Sequence, residues 1–112
     1  MAYDERLAQR IRAAMADNAA ISEKKMFGGL AFLHRGLMFV GVSGNRLMAR
    51  VGKACYTDSL GRAHVREMDF TGRPMAGYVY VEPAGIRTRQ QLDFWLQRCL
   101  DFVTTLPDKP SR

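Results

Sequence analysis

Cysteine is scarce in this chain: Cys55 and Cys99 are the two among 112 residues. Neither belongs to a C-x-x-C pair, which leaves a zinc knuckle or a dithiol redox motif without support. Histidine is equally scarce. His34 and His64 are the two, with no second ligand at a metal-binding spacing, and Arg62 and Arg66 flank His64 with charge that repels a cation. No metal or organic cofactor is therefore expected. Long apolar runs are missing as well. No segment approaches the roughly 20 residues of a membrane span, and Met1 to Asn18 alternates charges without an apolar centre, so no leader is read there. A reducing, cytoplasmic setting is the expectation.

Catalytic signatures are also absent. Ser22, Ser43, Ser59 and Ser111 lack a G-x-S-x-G context. Glu67, Asp69 and Glu82 are too scattered to nominate as an acid–base pair. Gly28-Gly29 follows Lys24-Lys25, but a phosphate loop needs G-x-x-x-x-G-K-[ST] opening into a helix, and here a strand follows. These absences favour a non-catalytic protein.

What is present is an ordinary globular balance, 47% hydrophobic and 25% charged, in a length suited to one domain. We read residues 1–112 as that domain, with 1–3 and 107–112 as flexible tails. The net charge is +6 and is scattered. Its densest places are Lys24-Lys25, Arg46 with Arg50 and Lys53, and Arg87 with Arg89, and no run of five or six basic residues forms an arm. Weak, salt-sensitive contact with an anionic partner is what such a surface supports.

Periodicity places the elements. Leu7, Ile11, Ala14 and Met15 recur at helical spacing over Asp4 to Asp17, with Asn18 as the stop and Arg6, Arg10 and Arg12 exposed. Lys24 to Leu33 reads as one strand interrupted by a bulge at Gly28-Gly29. His34-Arg35-Gly36 is a turn, Leu37 to Ser43 a second strand, Gly44-Asn45 a hairpin turn and Arg46 to Val51 a third strand. A short helix over Ala54 to Leu60, a strand over Val65 to Phe70, a loop over Thr71 to Pro74 and a strand over Gly77 to Glu82 follow. Thr88 and Gln91 form a capping box ahead of the stripe Leu92, Trp95, Leu96, Cys99, Leu100 and Val103. The fold class is α+β: an antiparallel sheet of about five strands, a three-stranded meander plus two later strands, with amino- and carboxy-terminal helices packed on it.

Two sets of candidate site residues follow. Strand alternation sets Arg46, Met48 and Arg50 on one side and Leu47, Ala49 and Val51 on the other. Lys24 and Lys25 begin the first strand, so Lys24, Lys25, Arg46 and Arg50 are the candidate contacts for an anionic partner, bordering one sheet face. Gly28, Gly29 and Arg73 are a candidate loop site. Most of the methionines are read as core filler, with Met48 as the exception.

Several stretches together resemble the TfoX amino-terminal domain: Lys24-Lys25-Met26-Phe27-Gly28-Gly29, the hairpin from Gly36-Leu37-Met38 to Leu47-Met48-Ala49-Arg50-Val51, and Met68-Asp69-Phe70-Thr71-Gly72-Arg73-Pro74-Met75. Gly77-Tyr78-Val79-Tyr80-Val81 and the Leu92–Trp95–Leu96 helix complete the pattern. The resemblance spans about Tyr3 to Pro107. It implies an α+β domain with an antiparallel sheet and supplies no catalytic residues. It also implies a link to the regulation of natural competence, where family members act as transcriptional co-activators alongside the cyclic-AMP receptor protein. Those regulators carry a second, carboxy-terminal domain; this sequence ends at Arg112, so a stand-alone version is expected.

Three functions are open at this point. A regulatory or interaction domain would contact protein partners, or nucleic acid weakly and without sequence preference, through a basic face. A small-ligand binder or enzyme would use a pocket near Gly28-Gly29 and Thr71–Pro74. A structural homodimer would pair a sheet face or edge with itself.

Overall fold

The computed structural model describes residues 3–26, 28–69 and 74–107. Within them the chain runs α1 (Glu5–Ala14), β1 (Ile21–Met26), β2 (Gly29–His34), β3 (Leu37–Ser43), β4 (Arg46–Arg50), α2 (Tyr56–Leu60), β5 (Val65–Asp69), β6 (Pro74–Val81), a 3-10 turn at Pro83–Gly85 and α3 (Arg89–Val103). The strands form one antiparallel sheet in the order β1-β2-β3-β4-β6-β5. The fold is the expected α+β arrangement, with six strands described against the expected five or so.

The additional strand comes from Gly28. The segment expected as one strand over Lys24 to Leu33 is a hairpin: Met26 pairs with Gly29, and Gly28 lies in the turn between them. Gly28 sits there at φ +73°, a left-handed value that only glycine adopts without penalty. Gly29 is needed for a different reason, since a side chain on it would run into the Val42 carbonyl of β3. The glycine pair is thus a turn and a close approach, and no bulge. The register does slip, but further along, between Phe32 and Leu33.

The other turns follow their sequences. Arg35 (φ 54°) and Gly36 (φ 84°) both turn left-handed between β2 and β3, and Ser43 pairs with Arg46 across Gly44-Asn45. Pro74, expected in a loop, opens β6, three residues before the expected start at Gly77. Phe70, Thr71, Gly72 and Arg73 lie outside the described residues, as do tail positions 1–2 and 108–112. Tyr3, read as tail, bridges to Gly44, whose carbonyl also accepts the Asp4 amide at 2.7 Å.

Asp4 caps α1, its carboxylate accepting from the amides of Arg6 (2.9 Å) and Leu7 (3.3 Å). The helix ends at Ala14 with Met15 as its cap, short of Asp17. Asn18 serves the next turn instead, accepting from the Ala20 amide at 3.0 Å. Arg6 is exposed as expected, but Arg10 and Arg12 are half-buried. Arg10 donates to the Ile86 carbonyl at 2.7 Å, and Arg12 pairs with Glu5 (2.8 Å) and with Glu23 of β1 (2.7 Å). These bonds hold α1 across the sheet.

In α3 both halves of the capping box are made, Gln91 N to Thr88 Oγ at 3.1 Å and Thr88 N to Gln91 Oε1 at 2.9 Å. Leu92, Trp95, Leu96, Cys99 and Val103 are buried, while Leu100, expected with them, is half-buried. They meet Leu7, Ala8 and Ile11 of α1 over Leu30, Phe32, Phe39, Val40, Val42, Leu47, Ala49, Val79 and Val81 of the sheet. Burial of each Val, Leu, Ile or Phe side chain among them contributes roughly 1.5–3 kcal/mol. All three helices thus lie on one side. On the other side, Ala31, Met38, Met48, Met68 and Tyr80 form a second buried cluster, edged by Met26, Leu33, Met75 and Tyr78, all from strands. No described helix is long and apolar enough to cross a membrane.

Candidate functional site

Strand register decides which face each cation can serve. Lys24 stands opposite Ala31, which leads across the sheet through Gly41 and Met48 to Tyr80. Lys25 stands opposite Leu30, which leads through Val42 and Leu47 to Val81, on the helix side. Consecutive strand residues point to opposite faces, so one sheet face cannot hold both lysines. Arg46 and Arg50 flank Met48 and share its face with Lys24. Three of the four expected contacts therefore lie on one face and Lys25 does not. They do not form a tight cluster: β1 and β4 are three strand spacings apart, about 14 Å, and Arg46 and Arg50 are about 13 Å apart along β4.

Each arginine rests on an aromatic ring. The Arg46 guanidinium carbon lies 3.7 Å from the centroid of Tyr80, itself 8% exposed. Arg50 lies 5.6 Å from Tyr78 and 5.5 Å from Phe102, and it donates to the Met38 carbonyl at 3.1 Å. Stacking of this kind contributes about 0.5–1 kcal/mol at an exposed site and holds a long side chain in place. The charges remain available. Arg12, Arg62, Arg66, Arg89 and Arg98 are each ion-paired, whereas among the described residues Lys24, Arg46 and Arg50 have no carboxylate within 4.0 Å. Beneath them the floor is methionine. Met48, expected as the exception to burial, is wholly buried, as is Met68.

The tyrosines are the residues of this face that sequence reasoning passed over. The alternation of Tyr78 and Tyr80 with Val79 and Val81 already put both on one face, but only the pairing of Met48 with Tyr80 and Arg50 with Tyr78 brings them under the arginines.

The second expected site lies partly outside the described residues. Arg73 lies outside the described residues, and Gly28 is an exposed turn residue. Cavities of about 870, 440, 350 and 70 Å³ indent the surface, and none of these four is lined by Gly28 or Gly29. Burial pushes the Cys99 thiol far up, so it packs as a neutral hydrophobe. Asp58 is held below the usual carboxylate range by its hydrogen bond from Arg98, which also donates to the buried Ser59 at 3.0 Å and ties α3 to α2. His34 is half-buried and His64 exposed. Among the described residues no three of His, Cys, Asp and Glu come together as a metal-binding group.

Comparison with curated proteins and with solved structures finds no match. The family model of the TfoX N-terminal domain matches residues 13–103, from within α1 to the last residue of α3. That span covers most of the chain, and the protein belongs to the TfoX N-terminal domain family.

Proposed function

We propose that the chain is a non-catalytic regulatory or interaction domain that grips an acidic protein surface with the helix-free face of its sheet. One observation carries this reading. Arg46 and Arg50 stand on tyrosine rings beside a buried cluster that comes from strands alone, Arg50 also meeting Phe102 at the end of α3, and among the described residues neither has a carboxylate partner. A preset guanidinium loses little freedom on meeting a carboxylate and can take it with two parallel bonds. The methionine layer beneath gives the face soft, adaptable walls suited to a protein partner. A duplex-reading role has less support, because no described helix projects from this face. Family membership accords with regulation, and the resemblance carries the finer reading, a role in transcriptional control of competence in a cytoplasmic setting.

The test is fluorescence anisotropy with a labelled Asp/Glu-rich peptide and with duplex DNA, at low and physiological salt. Salt-sensitive peptide binding, lost in Arg46→Ala/Arg50→Ala, is the expected result. Duplex binding tighter than peptide binding would move the reading to nucleic acid. No binding of either at low salt would overturn the surface and leave self-association as the better account. A competence assay in cells lacking the chain tests the finer role.

A further inference from the structure

Where β4 leaves the sheet, the chain turns beneath the end of α3. The amides of Val51 and Gly52 both donate to the Gly77 carbonyl, at 2.8 and 3.0 Å, which holds the segment after β4 against β6. Gly52 (φ +84°) and Gly77 (φ +92°) are left-handed, and a side chain on Gly52 would run into the Phe102 ring. With no side chains at these two positions, the surface keeps an indentation of about 440 Å³ whose lining also includes Arg50, Lys53, Tyr78 and Phe102.

The lining is one-sided in charge. It holds two cations and no acidic residue. Lys53 is exposed, Arg50 is half-buried, and among the described residues neither has a carboxylate partner. A guanidinium has five N–H donors, and the Met38 carbonyl is the protein acceptor Arg50 has here. Donors left unmatched at a half-buried site favour an incoming anion. Tyr78 and Phe102 flank that guanidinium with their rings, at 5.6 and 5.5 Å. The volume falls within the roughly 300–1,000 Å³ of small-molecule sites.

We propose that this indentation binds a small organic anion, a carboxylate or phosphate carried on a body with a planar ring. The anionic group sits on Arg50 and Lys53, and the body lies against Tyr78 and Phe102. No bond is made or broken. The site shares Arg50 with the partner-binding face but stands independently of it, because Arg46 does not line the indentation and Lys53 lies beyond the end of β4.

The experiment titrates benzoate, uridine monophosphate and inorganic phosphate into the full chain while amide NMR shifts are followed. Benzoate or the nucleotide should give saturable shifts centred on Gly52, Lys53, Gly77 and Tyr78, and which of them binds tighter separates carboxylate from phosphate. Arg50→Gln should weaken binding about tenfold or more, Lys53→Ala by less, and Arg46→Ala not at all. Inorganic phosphate should bind more weakly than either, and phosphate binding as tight as the nucleotide would overturn the role of the aromatic walls. The absence of saturable shifts up to about 10 mM, a range that covers even feeble affinities, would overturn the site. Equal affinity in an Arg50→Gln variant with an otherwise native spectrum would do the same. Should Arg50→Gln lose the native spectrum, the exposed Lys53→Ala carries the test, and its indifference overturns the proposal. Loss of peptide binding alone in Arg46→Ala, with benzoate still bound, shows that the two sites are separate.

Discussion

On the helix side of the sheet, Phe32, Phe39, Val40, Val42 and Leu47 meet the stripe of α3 and the three buried residues of α1. On the other side, Met38, Met48 and Met68 pack with Ala31 and Tyr80, and the described neighbours are all from strands. Both layers are closely buried, yet their materials differ. Branched and aromatic side chains have few rotamers and fix one packing. Methionine has three rotatable bonds and a polarizable sulfur, and it fills whatever shape is offered. Individual arginines differ too. Arg12 on the helix side is bonded to two carboxylates, while Arg46 and Arg50 have rings in place of counter-ions. The strand-only face has an ion pair of its own, Arg66 with Glu82, but leaves Arg46 and Arg50 without a carboxylate partner among the described residues.

The largest expected effect tests the rigid side. Trp95 is 4% exposed and sits at the centre of the α3 stripe. Trp95→Ala should cost about 3–5 kcal/mol in chemical denaturation. An unchanged midpoint would show that α3 is peripheral and that the two faces do not differ in the way described.

The next effect tests the soft side. Met48→Ala should cost less, about 2–3 kcal/mol, because long flexible neighbours can partly refill the gap. Met48→Leu should cost under about 1.5 kcal/mol, as volume-conserving swaps do. A Met48→Leu penalty as large as that of Trp95→Ala would mean that the methionine layer is as exacting as the helix-side core.

What the sequence made legible follows from how strongly each residue pattern constrains geometry. The capping box of Thr88 and Gln91 and the stripe behind it have one reading, and α3 is found where they put it. The hairpin from Leu37 to Arg50 is equally legible, because Gly36 and Gly44 mark its turns and alternation is clean. The edge strand β1 was half lost. Its residues Ser22 to Lys25 are exposed on both faces and carry no apolar alternation, so only the turn at Gly28 could have marked it off from β2. The candidate face was legible in part. Alternation alone paired Arg46 with Arg50, and the same rule, applied to Lys24 and Lys25, would have separated them. Contacts that depend on pairing between distant strands, such as Arg46 on Tyr80, were beyond it, since no local pattern encodes that register.

The smallest effect concerns acid. Hydrogen bonds from Arg12 hold Glu23 and Glu5 below the usual carboxylate value of 4.5. A carboxylate whose folded value is depressed stabilises the fold at pH above its unfolded value, and that contribution is lost as pH falls through the folded value. Stability should therefore decline from about pH 4.5 downward, as protons are taken up more readily by the unfolded chain. Arg12→Gln should flatten this decline and do little at neutral pH, where partly exposed pairs contribute modestly. On the other face, Arg46 has no carboxylate partner among the described residues. Arg46→Ala should accordingly leave the acid limb as steep as in the wild type. Denaturation midpoints measured from pH 7 to pH 3 for the three proteins decide the matter. An acid limb flattened by Arg46→Ala, or untouched by Arg12→Gln, would show that these two arginines are not paired as the structure has them.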